Sequence, residues 1–207
     1  MPRLPAAPVA EASAAAPLVL ASGSPRRSEL LGSLGLAFTV AAADIDESVL
    51  EGEEPRPYVL RLARAKAVHV AAGHAIGTIV IGADTTVEVD GAVLAKPTDA
   101  EDAASMLRLL SGRRHQVHTG MAVAVAGGED QWTHVTTTTV TFSALDHATV
   151  AWYVGTGEPF GKAGGYAIQG IGGALIASVE GNVQNVVGLP LADLVANPSI
   201  AALIRAR

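Results

Sequence analysis

Cysteine is absent from the 207 residues of the chain, and aromatic residues make up only 4% of them. Without cysteine there are no disulfide bonds and no thiolate metal sites. With so few aromatic side chains, the core must be built from alanine, valine, leucine and isoleucine. No apolar run approaches the roughly 18 residues of a membrane helix. We therefore expect a globular protein that has no membrane partner.

A continuous apolar segment is also missing from the start of the chain. Residues 1–17 contain alanine runs but are interrupted by Glu11 and by prolines at positions 2, 5, 8 and 17. A signal peptide needs an unbroken apolar stretch of roughly 7 to 15 residues. We predict that residues 1–17 form a flexible N-terminal tail and that the protein is cytoplasmic.

Positive charge is scarce, since 14 lysines and arginines stand against 20 aspartates and glutamates, for a formal net charge of -6. Nucleic acids and anionic membranes both favour clustered lysine and arginine. The overall balance therefore argues against a nucleic-acid partner, and any anion that the protein binds must meet a local basic site.

The apolar content is ample for a core, because 49% of the residues are hydrophobic. A length of 207 residues suits one domain, since single domains usually run to about 100 to 200 residues. We predict one domain over residues 18–207.

Strand and helix patterns alternate along the first half of the chain. The predicted elements are a strand at 18–21, a helix from Pro25 to about Gly35, a strand at 38–42, a helix from Pro57 to about Gly73 and a strand at 78–83. Asp90-Gly91 is a strong two-residue turn signal, so residues 86–94 are predicted to form a hairpin. Thr98 and Glu101 have the spacing of a capping box, which predicts a helix that closes at Gly112.

The second half begins with two arms rich in β-branched residues. The predicted elements are a hairpin of residues 117–126 and 132–142, a helix at 146–154, a strand at 174–179 and a helix at 191–205. The order of elements predicts an α/β fold with a mixed central sheet flanked by helices.

Ser22, Ser24, Arg26 and Arg27 lie where the first strand turns into the first helix. Ser24 fits the N-cap and Pro25 the first helical position. Two arginines in the first turn meet the positive end of the helix dipole, which disfavours each by roughly 0.3 to 1 kcal/mol. An anion at this terminus explains them, because backbone N–H groups, serine hydroxyls and guanidinium groups would converge on phosphate oxygens. The alternative is a solvated basic turn.

Asp84 directly follows the predicted strand at 78–83. Sites in α/β sheets assemble at the carboxyl ends of strands, so Asp84 is a candidate to hold Mg²⁺ or to take a proton from water. Its alternative role is an Asx turn that ends the strand. Glu47, in the acidic loop from Asp44 to Glu54, is a candidate second metal ligand, although acidic loops are commonly only solvated.

Two lysines complete the candidate set. Lys66 falls between Leu62 and Val70 on the helical wheel and so projects from an apolar face, where it either snorkels to solvent or serves a site. Lys96 follows the predicted hairpin, which can direct it back toward Asp84. Together with the two arginines, these lysines offer the positive charge that a triphosphate requires.

Glycine is concentrated in residues 161–170, which carry Gln169 near their end. Such glycine density lets the backbone approach a ligand closely, and a glutamine amide offers one donor and one acceptor group for reading a base. A flexible linker is the alternative, but Tyr166 and Ile168 within the segment favour a packed structure.

Three common motifs are missing. The segment around Lys162 is not a P-loop, because Thr156 stands where the first glycine would be and Ala163 follows the lysine. No G-x-G-x-x-G follows a strand. His115 and His118 are three residues apart on a strand, which places them on opposite faces and argues against a zinc pair.

Six motifs occur in an order and spacing that resemble the Maf family of nucleoside triphosphate pyrophosphatases. They are LASGSPRRSELL, DIDES, LARAKA, GADTTV, LAKP and GKAGGYAIQG, and the match runs from about Leu18 to the C-terminus. The resemblance implies a Maf/ITPase-like α/β fold with two lobes around a cleft, usually as a homodimer. It also implies that Mg²⁺ or Mn²⁺ assists the splitting of a nucleotide into monophosphate and pyrophosphate.

The resemblance assigns roles to individual residues. Asp84 is implied as the proton acceptor, and Asp84 and Glu47 as the acidic residues at the metal. The residues implied to hold the phosphates are Ser24, Arg26, Lys66 and Lys96, and we place Lys96 with the catalytic group. Ala95 replaces the glycine more usual before the Lys-Pro pair, which bears on the reach of Lys96.

The base preference follows from the same resemblance. Arg26, Thr85 and Gln169 match the branch of the family that acts on dTTP and UTP. A pyrimidine edge with one acceptor oxygen beside one N–H can pair with a glutamine amide. Removal of modified nucleotides, or house-cleaning, is the implied purpose.

Two other functions stay open at this point. One is a nucleotide-binding regulator of cell division that does not turn its ligand over, and the other is a phosphatase that releases inorganic phosphate. A pair of metal-site carboxylates is unnecessary for sensing, so Asp84 and Glu47 favour catalysis.

Overall fold

One mixed sheet forms the centre of the protein in a computed structural model, which describes residues 17–129 and 131–206. Its strands are β1 (Leu18–Leu20), β2 (Thr39–Val40), β3 (Ile79–Val89), β4 (Ala92–Leu94), β5 (Arg114–Val125), β6 (Gln131–Phe142) and β7 (Ile176–Glu180). The strand order in the sheet is β2-β1-β3-β5-β6-β7, and β4, which is not part of this linear order, pairs with β3. β1 is parallel to β2 and β3, and the other pairs are antiparallel. The predicted mixed sheet is confirmed.

Helices flank this sheet. They are α1 (Pro25–Ser33), α2 (Pro55–Ala71), α3 (Ala100–Leu110), α4 (His147–Gly155), α5 (Val183–Val187), α6 (Leu191–Leu194) and α7 (Pro198–Arg205), with 3₁₀ segments at Ala163–Gly165 and Ile171–Leu175. Within residues 17–129 and 131–206, no helix is long and apolar enough to cross a membrane. The predicted tail lies outside the described residues, except for Pro17.

Three apolar clusters cover the two faces of β3. Ile81 belongs to a cluster with Leu31 of α1 and Leu203 of α7. Val87, six residues later and therefore on the same face, belongs to a second cluster that includes residues of α3 and α4. Val80 points to the opposite face, into a third cluster with α2. The first two clusters form the cores of two lobes that meet between Ala83 and Val87.

Two glycines let α2 lie close against the sheet. Gly82 of β3 pairs with Ala122, and Gly120 of β5 pairs with Asp84. A Cβ atom at Gly82 would lie 2.8 Å from the Ala67 backbone nitrogen, and one at Gly120 would lie equally close to the Leu60 nitrogen. Only glycine allows this approach, which brings the side chains of α2 to the level of Asp84.

Several predicted boundaries are wrong. Asp84 does not follow a strand, because β3 continues through it to Val89 against its partner β5. The N-cap of α3 is Asp99 rather than Thr98, and its side chain accepts from the Asp102 N–H at 2.9 Å. The helix predicted at 191–205 is two helices, since Asn197 caps a new one that starts at Pro198.

The remaining differences are smaller. α2 begins at Pro55, two residues before the predicted start, and the strand predicted at 38–42 is reduced to Thr39–Val40. The hairpin turn is confirmed, since Asp90 has a φ of 53° and Gly91 a φ of 79°. Positive φ at both positions is what a tight two-residue turn requires.

Candidate active site

A gap in the sheet exposes one edge of β3. On this edge β1 pairs with β3 up to Ile81, and β4 pairs with it only from Val87 onward. β5 occupies the opposite edge without interruption over this stretch. Asp84 and Thr85 therefore lie between two strand ends, just beyond the carboxyl end of β1. This is where ligand sites form in α/β sheets.

A cleft of about 390 Å³ occupies the gap. All ten predicted site residues line it, namely Ser22, Ser24, Arg26, Arg27, Glu47, Lys66, Asp84, Thr85, Lys96 and Gln169. The structure thus brings together residues that are up to 147 positions apart in the chain. Their individual roles stay predictions.

Lys66 joins the two candidate carboxylates. Its Nζ atom lies 2.7 Å from Oδ1 of Asp84 and 2.6 Å from Oε1 of Glu47. Lys66 is buried on the side of α2 that faces the sheet, together with Leu62 and Val70, as the helical wheel predicts. A buried ammonium between two carboxylates balances charge that burial would otherwise make costly. Lys66 therefore fixes the spacing of Asp84 and Glu47.

Glu47 is also held by a second lysine and by a tyrosine. The Nζ atom of Lys96 lies 3.3 Å from Oε2 of Glu47. Ala95, which precedes Lys96, therefore does not prevent Lys96 from reaching Glu47. Tyr58 of α2 donates to the Glu47 backbone carbonyl at 3.0 Å. Burial alone would raise the pKa of Glu47, but Lys66 and then Lys96 lower it below its usual value. Glu47 is thus an ionised carboxylate on a fixed loop.

The guanidinium of Arg27 is hydrogen-bonded to other groups of the protein. It donates to Ser22 Oγ, to the Ala83 carbonyl, to Thr85 Oγ1 and to the Gly188 carbonyl, each at 2.9 Å. The Ala83 carbonyl lies on the β3 edge that β1 no longer covers, so the guanidinium replaces a strand partner there. Although Arg27 borders the cleft, we interpret it as a residue that shapes the site.

Arg26 differs from Arg27, because its guanidinium makes no hydrogen bond or ion pair with any residue in 17–129 or 131–206. Ser24 occupies the N-cap position of α1, yet its hydroxyl does not cap the helix. Both side chains border the cleft and are free to meet a ligand. The two arginines at the unfavourable helix start thus have different explanations. Arg27 has a structural role, whereas Arg26 is available to bind an anion.

Thr85 is already hydrogen-bonded within the protein. Its hydroxyl accepts from Arg27 and lies 2.9 Å from Thr119 Oγ1. Gln169, in contrast, is an exposed residue that lines the cleft, and its amide makes no hydrogen bond with another residue that the structure describes. The amide is therefore available to a ligand.

Lys162 also lines the cleft, although we did not predict a role for it from the sequence. Its Nζ atom donates to the Glu158 carbonyl at 2.6 Å. Burial, and next the charge of Arg26, lower the pKa of Lys162. Two neighbouring cations that line one cleft are a suitable binding place for an anion. The position of Lys162 within GKAGG was the available signal, since glycine-rich loops with a lysine commonly bind phosphate.

The cleft carries a local excess of positive charge. Five cationic side chains and two carboxylates line it, although the whole chain has a net charge of -6. The five are Arg26, Arg27, Lys66, Lys96 and Lys162. This is the local basic site that the acidic composition requires of an anion-binding protein.

Asp84 and Glu47 are suited to a divalent metal. No group of three or more acidic, histidine or cysteine ligands occurs in the described part of the chain. Magnesium commonly uses one or two carboxylates and completes its shell with water and substrate phosphates. Oδ2 of Asp84 makes no hydrogen bond with another described residue, whereas Oδ1 is bound to Lys66. Asp84 therefore has one oxygen available to a metal that arrives with a polyphosphate, whereas Glu47, whose two oxygens contact Lys66 and Lys96, would have to exchange a lysine for the metal.

Comparisons with known proteins identify the family of the chain. The model of the family described as Maf-like protein matches residues 17–197. A dTTP/UTP pyrophosphatase of Anaeromyxobacter dehalogenans (strain 2CP-C) is 58% identical, over 86% of this chain and 91% of the relative. Another protein of that name, from Myxococcus xanthus, is 55% identical over 86% of this chain and 89% of its own length.

This chain is also similar to a solved structure of a HAM1 protein from Coxiella burnetii, with a TM-score of 0.47 and 16% identity over 92% of this chain and 95% of that one. This likeness is too remote to support a functional conclusion. The family match and the two close relatives are sufficient without it: the chain belongs to the Maf family.

Proposed function

We propose that the cleft binds a nucleoside triphosphate and hydrolyses it to a nucleoside monophosphate and pyrophosphate. The observation that carries this proposal is the concentration of five cations and two carboxylates around one cleft of an acidic chain. A triphosphate needs such compensation, and its hydrolysis depends mainly on positioning and on charge stabilisation. A pair of metal-site carboxylates has no use in nucleotide sensing alone, which favours catalysis over a regulatory role.

The proposed substrates are dTTP and UTP, together with modified pyrimidine nucleotides. The two close relatives are named dTTP/UTP pyrophosphatase. The exposed amide of Gln169 supports the same choice, because it has the donor and the acceptor that a uracil or thymine edge needs. The cellular purpose in this proposal is the removal of unwanted nucleotides.

Asp84 is the proposed proton acceptor. Its Oδ1 atom is held by Lys66 at 2.7 Å, which leaves Oδ2 to receive a proton from a water molecule that attacks the α-phosphate in line. Arg26 and Lys162, which both line the cleft, are the proposed partners of the departing pyrophosphate. Ser24 and Lys96 complete the phosphate contacts.

A divalent metal, Mg²⁺ or Mn²⁺, belongs to this proposal, with Asp84 and Glu47 as the residues that hold it. When bound, such a metal neutralises charge on non-bridging phosphate oxygens. The homodimeric state and the cytoplasmic location stay predictions.

A panel of nucleotides incubated with the protein and Mg²⁺ tests the proposal, provided that pyrophosphate and inorganic phosphate are resolved. We expect UTP and dTTP to give the monophosphate and pyrophosphate, and chelation of the metal to stop the reaction. Release of inorganic phosphate would indicate a phosphatase. Tight binding without turnover would indicate a nucleotide-binding regulator.

A further inference from the structure

Glu158 lies in the turn after α4 and does not border the cleft, yet a glycine-rich segment encloses its carboxylate. Oε1 accepts from the Ile171 N–H at 2.9 Å, and Oε2 accepts from the Gly172 N–H at 2.7 Å. The hydroxyl of Tyr153, a buried residue of α4, donates to Oε2 at 2.7 Å. One carboxylate thus collects three hydrogen bonds, two of them from the segment that follows Gln169.

The segment contains glycine where it touches this carboxylate. A Cβ atom at Gly170 would collide with the carboxylate of Glu158, and one at Gly172 would lie 2.5 Å from the Tyr153 hydroxyl. Side chains at these positions would push the segment away from Glu158. The close contact is therefore built into the sequence on both sides.

Gln169 lies between two fixed points of the backbone. On one side, the Ala167 N–H donates to the Tyr153 hydroxyl at 3.2 Å. On the other side, Ile171 and Gly172 are bound to Glu158. The Gln169 side chain itself is exposed and makes no hydrogen bond with another described residue. Such a residue has a fixed backbone and a free amide, which lowers the entropic cost of binding a base.

Electrostatics keeps these hydrogen bonds in place. Burial alone would raise the pKa of Glu158, but the Tyr153 hydroxyl and the N–H groups of Gly172 and Ile171 lower it below its usual value. Burial and the bond to Glu158 raise the pKa of Tyr153. The carboxylate therefore remains ionised and the phenol protonated, and the hydrogen bond between them is charge-assisted.

We propose that Glu158, together with Tyr153, is a positioning residue that fixes Gln169 for recognition of the pyrimidine base. The inference rests on the proposed function, in which Gln169 reads the base. Glu158 acts through the backbone that follows Gln169, Tyr153 acts through the backbone that precedes it, and neither residue borders the cleft. Loss of Glu158 weakens recognition of the base more than it weakens the chemical step, which depends on Asp84.

Steady-state kinetics of Glu158→Gln and Tyr153→Phe with UTP and CTP test this inference. Glu158→Gln places an amide opposite donors that need an acceptor, and Tyr153→Phe removes both hydrogen bonds of the hydroxyl. For each variant we expect KM for UTP to rise about tenfold and kcat to change much less, in line with the loss of about one hydrogen bond. The ratio of kcat/KM for UTP to that for CTP should fall by a similar factor. If one variant fails to fold, the other carries the test.

The control variant is Asp146→Asn. Asp146 caps the start of α4 by accepting from the Thr149 N–H at 2.8 Å and does not border the cleft. The Asp146→Asn variant should leave the ratio of kcat/KM for UTP to that for CTP unchanged. This control separates a general loosening of α4 from an effect on the segment that carries Gln169.

The variant Gln169→Ala distinguishes failure of this inference from failure of the proposed function. If Glu158 acts through Gln169, then Glu158→Gln should not alter the UTP to CTP ratio further in a Gln169→Ala background. If Gln169→Ala leaves the ratio of kcat/KM for UTP to that for CTP unchanged, Gln169 does not read the base, and this inference fails with it. A ratio that Gln169→Ala reduces, but that Glu158→Gln and Tyr153→Phe leave intact, overturns the inference alone.

Discussion

The Nζ atom of Lys66 lies 2.7 Å from Oδ1 of Asp84, and both residues are buried. The same ammonium contacts Glu47 at 2.6 Å, so one cation from α2 joins a residue of β3 to a residue of the acidic loop. Removal of one partner from a buried ion pair leaves an uncompensated charge. The stability of the protein and the geometry of the site therefore depend on the same three side chains.

Replacement of Lys66 by methionine tests this dependence. We expect Lys66→Met to lower the free energy of unfolding by about 2 kcal/mol, less than for a fully buried pair because the Glu47 side chain is 40% exposed. Chemical denaturation measures the change. The double variant Lys66→Met/Asp84→Asn should recover part of the loss, since it removes a carboxylate that has lost its partner. A double variant that is less stable than Lys66→Met would contradict this explanation.

The two adjacent arginines should give opposite results. Arg27→Lys leaves several buried acceptors without a donor and should lower the free energy of unfolding by about 2 to 4 kcal/mol. Arg26→Ala should change stability by less than about 0.5 kcal/mol but raise KM for UTP about tenfold. Thermal unfolding and steady-state kinetics measure both effects. Equal losses of stability would show that Arg26 is structural as well.

The close approach of α2 predicts a large effect of a single methyl group. Gly82→Ala should cost roughly 2 to 4 kcal/mol, because the added Cβ meets the backbone of α2 and forces it outward. The matched control is Gly155→Ala at the end of α4, where a Cβ meets nothing within 4 Å. This control should be neutral or slightly stabilising. Similar unfolding midpoints for the two variants would refute the proposed packing.

A buried histidine predicts how stability depends on pH. His115 is 2% exposed, and burial lowers its pKa from 6.5 to about 4. Between these values the unfolded chain binds a proton that the folded chain does not. The contribution of neutral His115 to the free energy of unfolding is therefore fully present above pH 6.5. It declines as the pH falls toward 4, by roughly 3 kcal/mol in total.

The variant His115→Gln tests the sign of this effect and keeps a polar partner for the Tyr166 hydroxyl, which lies 2.8 Å from His115 Nε2. Unfolding curves at pH 8 report the loss of packing alone. Between pH 6.5 and 4 the variant should lose less stability than the original chain. If the stability of the variant and that of the original chain fell in parallel over that range, His115 would have the same pKa in the folded and the unfolded state.

Local features of the sequence predict much of the fold. The Asp90-Gly91 turn, the buried side of α2 that carries Lys66 and the hairpin of β5 and β6 each follow from patterns within about 30 residues. The helix break at Asn197-Pro198 could also have been predicted, because asparagine at an N-cap followed by proline is a typical helix start.

Other features depend on distant partners and leave no local signal. β3 continues through Asp84 because β5 pairs with it over the whole stretch. Arg27 is structural because the carbonyls of Ala83 and Gly188, 56 and 161 positions away, converge on it. Glu158 resembles any exposed loop acid until the segment after Gln169 folds around it. In each case tertiary contacts, rather than local propensity, determine the outcome.

Hydrolysis of UTP in water that carries a heavy oxygen isotope tests the central claim most directly, because the label marks the phosphorus atom that water attacks. We predict that the label enters UMP and not pyrophosphate, and that Asp84→Asn slows the reaction at least about 100-fold while nucleotide binding persists. Label in pyrophosphate or inorganic phosphate, or near-normal turnover by Asp84→Asn, would contradict the account.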